Sequence, residues 1–281
     1  MAASRGIRRR NICQSAVIAF LFILLPPAAF ASECGQTAAG FERWLEGFKA
    51  NAAAQGISRA TLASALTDVS YDRRVIGLDR GQRSFKLSFE AFYARRVSNA
   101  MIAKGRKLIE TYGSTLSRIE ERYGVPAAVV IAIWGLETGY GRDGSGNFAI
   151  IRSLATLAYD CRRSEFFRNE LLAALKIVQR GDLTAAQLRG GWAGEIGQVQ
   201  FLSSSYFKYA VDFDGDGRRD LVRSVPDMLA STANFLRAYG WQRGQGWHPG
   251  STNYGVLHEW NKAEVYVRTI SVMADKLTGR S

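Results

Sequence analysis

The chain has 281 residues, 47% hydrophobic and 22% charged, with 37 Lys and Arg against 25 Asp and Glu. That length supports a sizeable core in one or two domains. Two histidines in the whole chain, His248 and His258, disfavour a His-based triad or a zinc site, and neither standard phosphate-cradling glycine loop occurs. The basic balance asks for an acidic partner, yet no arginine-rich run or nucleic-acid motif is present, so an anionic polymer or membrane surface fits better than nucleic acid.

Residues 1–31 read as an export signal. Arg5, Arg8, Arg9 and Arg10 precede the apolar run from Ala16 to Leu25, and Ala29-Phe30-Ala31 suits cleavage before Ser32. The run is short of the ~20 residues of a membrane-spanning helix; an uncleaved anchor is the alternative. Removing the leader leaves 33 basic and 25 acidic side chains, a balance of +8. Cys34 and Cys161 then remain as an even pair in an oxidising compartment, which predicts a disulfide, with two buried thiols as the alternative.

From there the chain reads as mainly α. Phe41, Trp44, Leu45 and Phe48 recur at helical spacing. Ser58 suits the cap of a second helix carrying Leu62, Ala65 and Leu66. An amphipathic helix is expected over Ile102 to Leu116. Pro126 opens a run apolar on every side, the pattern of a buried helix, and this run ends at Glu137 before Thr138-Gly139-Tyr140-Gly141. Ser164 starts a helix with Phe167, Leu171, Leu175 and Val178 on one side. Thr184 and Gln187 form a capping box. Ser224 opens a helix to Tyr239 that Gly240 closes. Gly244 to Asn253 reads as a loop or small β excursion, and Arg268 to Leu277 as a short terminal helix. The expected layout is an N-terminal helical part (32–123), a helical core (124–240) and a return segment (241–281).

Three constellations carry chemistry. Glu137 is a lone carboxyl at the end of an apolar helix. Desolvation there raises a carboxyl's pKa, as a general acid near neutral pH requires; a solvated helix-end Glu is the plain alternative. The stretch from Gly190 to Phe201 crowds small residues around Trp192, Gln198 and Gln200, which suits either close substrate approach or a tight helix crossing. The loop Asp212-Phe213-Asp214-Gly215-Asp216-Gly217-Arg218 matches the front half of a calcium-binding EF-hand loop. Its twelfth position is Arg223 in place of the usual Glu, so Asp220 or Asp227 is expected to complete the set. Aromatic residues near Gly- or polar-rich positions, among them Tyr140, Trp192, Tyr206, Tyr209, Trp241, Trp247, Trp260 and Tyr266, suit either sugar-ring packing or ordinary core.

In order, Glu137-Thr138-Gly139-Tyr140-Gly141, then Gly197-Gln198-Val199-Gln200-Phe201, then the Asp212 loop, resemble the lytic murein transglycosylase B family. Gly124-Val125-Pro126, Ala155 to Tyr159 and Ser203 to Asp212 extend the likeness over most of 38–281. The resemblance implies a lysozyme-like helical core with an added N-terminal helical part and an EF-hand-like loop (212–227). It implies that Glu137 is the sole catalytic carboxyl: acid toward the oxygen between N-acetylmuramic acid and N-acetylglucosamine, then base toward the muramoyl C6 hydroxyl, which closes a 1,6-anhydro ring. It also implies substrate contacts from Tyr140, Tyr159, Gln200, Tyr206, Trp260, Asn261 and Tyr266. Trp260 stands where some relatives carry Tyr, and Gly191 where some carry Ser. No cofactor is expected for the chemistry. A structural calcium would be held by Asp212, Asp214, Asp216, the Arg218 carbonyl, Asp220 and Asp227. The expected setting is a periplasmic monomer on peptidoglycan glycan strands, with cell-wall machinery as possible partners. The alternatives are a muramidase on the same scaffold, with water in place of the C6 hydroxyl, and a non-catalytic calcium-dependent wall binder.

Overall fold

The computed structural model describes residues 1–2, 34–82, 87–142, 146 and 148–279; the export-signal reading lies outside the described residues. The N-terminal part supplies α1 (Phe41–Ala54), α2 (Arg59–Leu66), α3 (Arg73–Gly81), α4 (Phe89–Arg96), α5 (Asn99–Thr111) and α6 (Gly113–Tyr123). The middle holds α7 (Ala127–Thr138), β1 (Phe148–Ala149), α8 (Ile150–Tyr159), α9 (Ser164–Arg180), β2 (Arg189–Gly190), α10 (Ser203–Tyr209) and α11 (Val225–Ala238). The chain closes with α12 (Thr252–Trp260) and α13 (Glu264–Thr278). β1 and β2 pair antiparallel, Phe148 opposite Gly190. Residues Ser32–Ser281 form one unit, and buried residues from all three expected parts share one apolar core.

The helix at the centre is α7. It begins after Pro126, which occupies the capping position with extended φ and ψ. Its Val129, Val130, Ile131, Ile133 and Leu136 are buried, each contributing about 1.5–3 kcal/mol by leaving water. It packs against α5, α6, α11 and α13. Gly139 ends it in the left-handed conformation at φ 59°, where the missing Cβ removes the penalty.

Several sequence expectations are corrected. The helix expected over Ile102 to Leu116 is two helices. Tyr112 leaves helical geometry and Gly113 opens α6, so α5 turns toward α13 while α6 runs to α11. The Thr184 box forms both reciprocal bonds, Thr184 N to Gln187 Oε1 at 2.9 Å and Gln187 N to Thr184 Oγ1 at 3.3 Å. It closes a single turn that leads into β2, because tertiary pairing with β1 takes the next residues. Gly244 to Asn253 contains no strand. Asn253 organises it, with Nδ2 donating to Gln242 O and Gln245 O, and Oδ1 accepting from Gln242 N at 2.8 Å. The terminal helix begins at Glu264, before the expected Arg268.

Phe41, Trp44, Leu45 and Phe48 are buried on one face of α1 as their spacing predicts. They gather around Tyr159, with Phe41 at 5.5 Å and Trp44 at 5.6 Å between ring centroids. Cys34 and Cys161 are joined beside this cluster by a disulfide, Cα to Cα 4.9 Å, and Gly35 N donates to Tyr159 O.

Candidate active site

Glu137 lies in the last turn of α7. Its side chain is partly exposed, while dense protein surrounds it on most sides. Both partners of its Oε1 come from the junction of α12 and α13: Trp260 Nε1 donates at 3.0 Å and Tyr266 OH at 2.7 Å. The junction is fixed by Asn261, whose Oδ1 accepts from Ala263 N at 2.9 Å. Removal from water pushes the Glu137 carboxyl above its ordinary range; the two donors and Arg96 pull it back, and Glu195 pushes it further up. The negative end of the α7 dipole acts in the same upward direction. The Tyr266 hydroxyl is raised well above the usual tyrosine value, first by burial and then by Glu137, so it stays a donor. Arg96, on α4, donates to Leu136 O next to the acid.

A second wall comes from the Gly190–Phe201 loop. Thr138 Oγ1 donates to Gln198 O at 2.6 Å and accepts from Gly141 N at 3.0 Å, tying the loop to the end of α7. Gly141 leaves room for Gln198 Oε1, which a Cβ there would meet at 2.7 Å. Ile196 and Phe201 exchange two backbone hydrogen bonds, and the turn between them holds Gln200 at a left-handed φ of 55°, a conformation with a cost for a non-glycine residue. Gln200 is partly exposed. The Phe201 ring lies 5.3 Å from the Trp260 ring, so the loop braces the donor of Glu137.

The structure therefore brings together Glu137, Trp260, Asn261 and Tyr266, with the Gln200 loop bonded to the residue after Glu137. Three tyrosines expected at the substrate are placed differently. Tyr140 is 7% exposed, fills space left by Gly105 and Gly135, and donates its hydroxyl to Met101 O at 3.1 Å. Tyr159 is buried with its hydroxyl on Ala39 O, and Tyr206 is fully buried with its hydroxyl on Arg219 O. Each spends its polar tip on backbone inside the fold, which corrects their assignment as direct sugar contacts.

Glu195 and Arg96 are residues that sequence reasoning passed over. A charged residue inside a run of Gly, Ala and Ile was the available signal for Glu195; nothing local marked Arg96, which arrives from a distant helix.

In the acidic loop, carboxylate oxygens of Asp212, Asp214 and Asp227 lie within 4.8 Å of one another. Gly215 and Gly217 take left-handed φ values of 81° and 89°, and Asp212 accepts from the N–H groups of both. Asp227 is fully buried, accepts from Phe213, Asp214 and Asp220 N–H groups, and is raised chiefly by burial. Three hard oxygen donors at one turn fit a divalent cation of the calcium type. The expected set is corrected at two positions. Asp220 is turned to Arg223, Nε to Oδ2 at 2.7 Å, and Asp216 accepts from Arg218 N outside the convergent group.

A cavity of about 500 Å³ lies at the other end of α7, lined by Pro126, Ala127, Arg243 and Trp247 among others. Across the 12 residues of that helix, about 18 Å, it is remote from Glu137.

Residues 40–252 match the family described as the transglycosylase SLT domain. Over 134 residues the chain is 40% identical to membrane-bound lytic murein transglycosylase B of Escherichia coli strain K12, covering 47% of this chain and 37% of that protein. The chain thus aligns with little more than a third of that relative's length. SltB3 from Pseudomonas aeruginosa, in complex with NAG-NAM-pentapeptide, superposes with a TM-score of 0.80 at 33% identity over 87% of this chain and 80% of that one. The Escherichia coli lytic transglycosylase Slt35, in complex with calcium, shares the fold at a TM-score of 0.73 and 22% identity, over 92% and 99% of the chains. With a mainly helical fold of the lysozyme-like lytic transglycosylase kind and a family match over most of its length, the chain belongs to the transglycosylase SLT domain family.

Proposed function

We propose that the protein is a lytic transglycosylase that cleaves the β-1,4 bond between N-acetylmuramic acid and N-acetylglucosamine in peptidoglycan, leaving 1,6-anhydromuramoyl ends. The observation that carries this reading is Glu137: one carboxyl, largely removed from water, raised above its ordinary range and held by two donors on one oxygen. In the protonated state it donates to the leaving oxygen. Once ionised, its Oε1 is stabilised by Trp260 Nε1 and Tyr266 OH, and the carboxylate takes the proton of the C6 hydroxyl as that oxygen attacks the anomeric carbon. The bond to the leaving oxygen breaks, the ring closes, and the proton count returns to its start. An intramolecular nucleophile has a high effective concentration, so no second carboxylate is needed to activate water. SltB3 has been captured with NAG-anhNAM-pentapeptide, a saccharide of the product type proposed here.

Gln200, Trp260 and Asn261 are the proposed saccharide contacts. The chain is proposed to act as an exported periplasmic monomer, where its basic surface suits a polymer carrying peptide carboxylates. Among the described residues no helix is long and apolar enough to cross a membrane. Asp212, Asp214 and Asp227 are the proposed holders of a structural calcium, which would stiffen the entry to α11 and take no part in bond cleavage.

Mass spectrometry of the products of purified sacculi tests the function. Anhydromuropeptides are expected, and Glu137→Gln is expected to release none. Products heavier by one water would establish the muramidase alternative, and wild-type protein that binds without turnover would establish the wall-binder alternative.

A further inference from the structure

Glu195 has a setting that the reaction above does not use. Gly191 has no side chain, and a Cβ there would stand 2.2 Å from Glu195 Oε2 and 3.0 Å from its carboxyl carbon. The Glu195 carboxylate therefore occupies the space of a 191 side chain. It is pinned there: Oε2 accepts from Ala193 N at 3.1 Å, and the Glu195 carbonyl accepts from Gly191 N at 2.8 Å. Ile196, the next residue, is doubly bonded to Phe201, whose ring meets the Trp260 ring that holds Glu137. A carboxylate accepts at about four sites; among the described residues this one takes hydrogen bonds only from backbone of its own loop and has no cation at ion-pair distance.

We propose that Glu195 is a positioning residue acting through Glu137: a fixed second carboxylate in the same site, whose negative charge keeps the proton on the acid until the glycosidic oxygen takes it. This rests on the reading of Glu137 as proton donor. The charged and titratable groups around the pair are few. Glu137 meets Tyr266 from α13 and Arg96 from α4, and Lys104 of α5 donates to Gly139 O just beyond it at 3.4 Å. Glu195 feels Arg163 at the head of α9, whose guanidinium is engaged by the buried Asp79. Burial raises both carboxyls. Glu195 raises Glu137, whereas Glu137 is not among the causes acting on Glu195. That asymmetry is what an ordered titration produces: Glu195 ionises first, with its neighbour still neutral, and Glu137 then titrates in its field.

The test compares kcat/KM against pH on sacculi for wild type, Glu195→Gln and Glu195→Asp. In Glu195→Gln the basic limb is expected to fall by about one pH unit, because the like charge is gone, while Glu195→Asp keeps the wild-type limb. A Glu195→Gln limb that coincides with wild type overturns the proposal. A carboxyl-carbon NMR titration of the wild type reads the same coupling without turnover or mutation. Glu195 is expected to ionise at lower pH than Glu137, and the reverse order overturns the proposal even if Glu195→Gln fails to fold. If the wild type released no product at all, the function reading would fall, and the titration would still judge the coupling.

Discussion

Two acidic regions of this molecule solve opposite problems. At the end of α7 one carboxyl is set against an apolar interior with two side-chain donors on a single oxygen. At the entry to α11 three carboxylates converge, and backbone N–H groups of their own loop satisfy them. The first arrangement leaves a proton easy to hold and possible to release, as acid–base work requires. The second concentrates negative charge on rigid oxygens, which suits a bare cation and no proton chemistry. The same residue class thus serves chemistry where water is excluded and scaffolding where backbone donors are plentiful.

The largest expected effect separates the two regions by function. Glu137→Gln should lower turnover of sacculi by at least about 10³-fold, since an amide neither gives nor takes the proton, while Asp227→Asn should leave turnover within a few fold at a temperature where both proteins are folded. Assays side by side check this, and near wild-type activity in Glu137→Gln would break the comparison.

Next in size is Tyr266→Phe, which removes one of the two donors to Glu137 Oε1. Loss of a charge-assisted bond of about 1.5–3 kcal/mol should cost about ten- to a hundredfold in kcat. It should also move the basic limb of the pH profile upward, because that donor favours the ionised form. A limb moving downward would contradict the assigned direction.

For the loop, saturating calcium should raise Tm and EDTA should lower it. At a hundredfold excess over Kd the gain is about 2.7 kcal/mol, or several degrees for a chain of this size. Asp227→Asn should abolish the response, and a calorimetric scan with and without the ion decides it.

The smallest effect returns to Glu137. Its folded value is raised, so the folded state holds the proton more tightly than the unfolded chain. Stability is then highest below the ordinary carboxyl range and falls as pH rises toward the raised value. Glu137→Gln removes that fall and should be more stable than wild type near pH 8 by about 1 kcal/mol. Urea midpoints at acid and alkaline pH measure the difference.

Much of this was legible in the chain. Glu137 announced itself because a single charge ends an otherwise apolar helix, and the Asp212 loop because its spacing is dictated by coordination. The α1 face followed from periodicity alone. What stayed hidden depended on contacts distant in sequence. The break at Tyr112 is set by packing partners that differ on its two sides. Tyr140, Tyr159 and Tyr206 resemble sugar contacts in composition, and their burial depends on which backbone carbonyls lie within reach of each hydroxyl. Glu195 needed the empty place at Gly191 to become visible.

Both donors to Glu137 are supplied by residues 260 and 266, 123 and 129 positions after the acid. A chain clipped anywhere before Trp260 would keep its proton donor and lose the groups that tame it. An enzyme that dissolves cell walls is thereby silent while it is still being synthesised, and one protease cut near its tail is enough to disarm it.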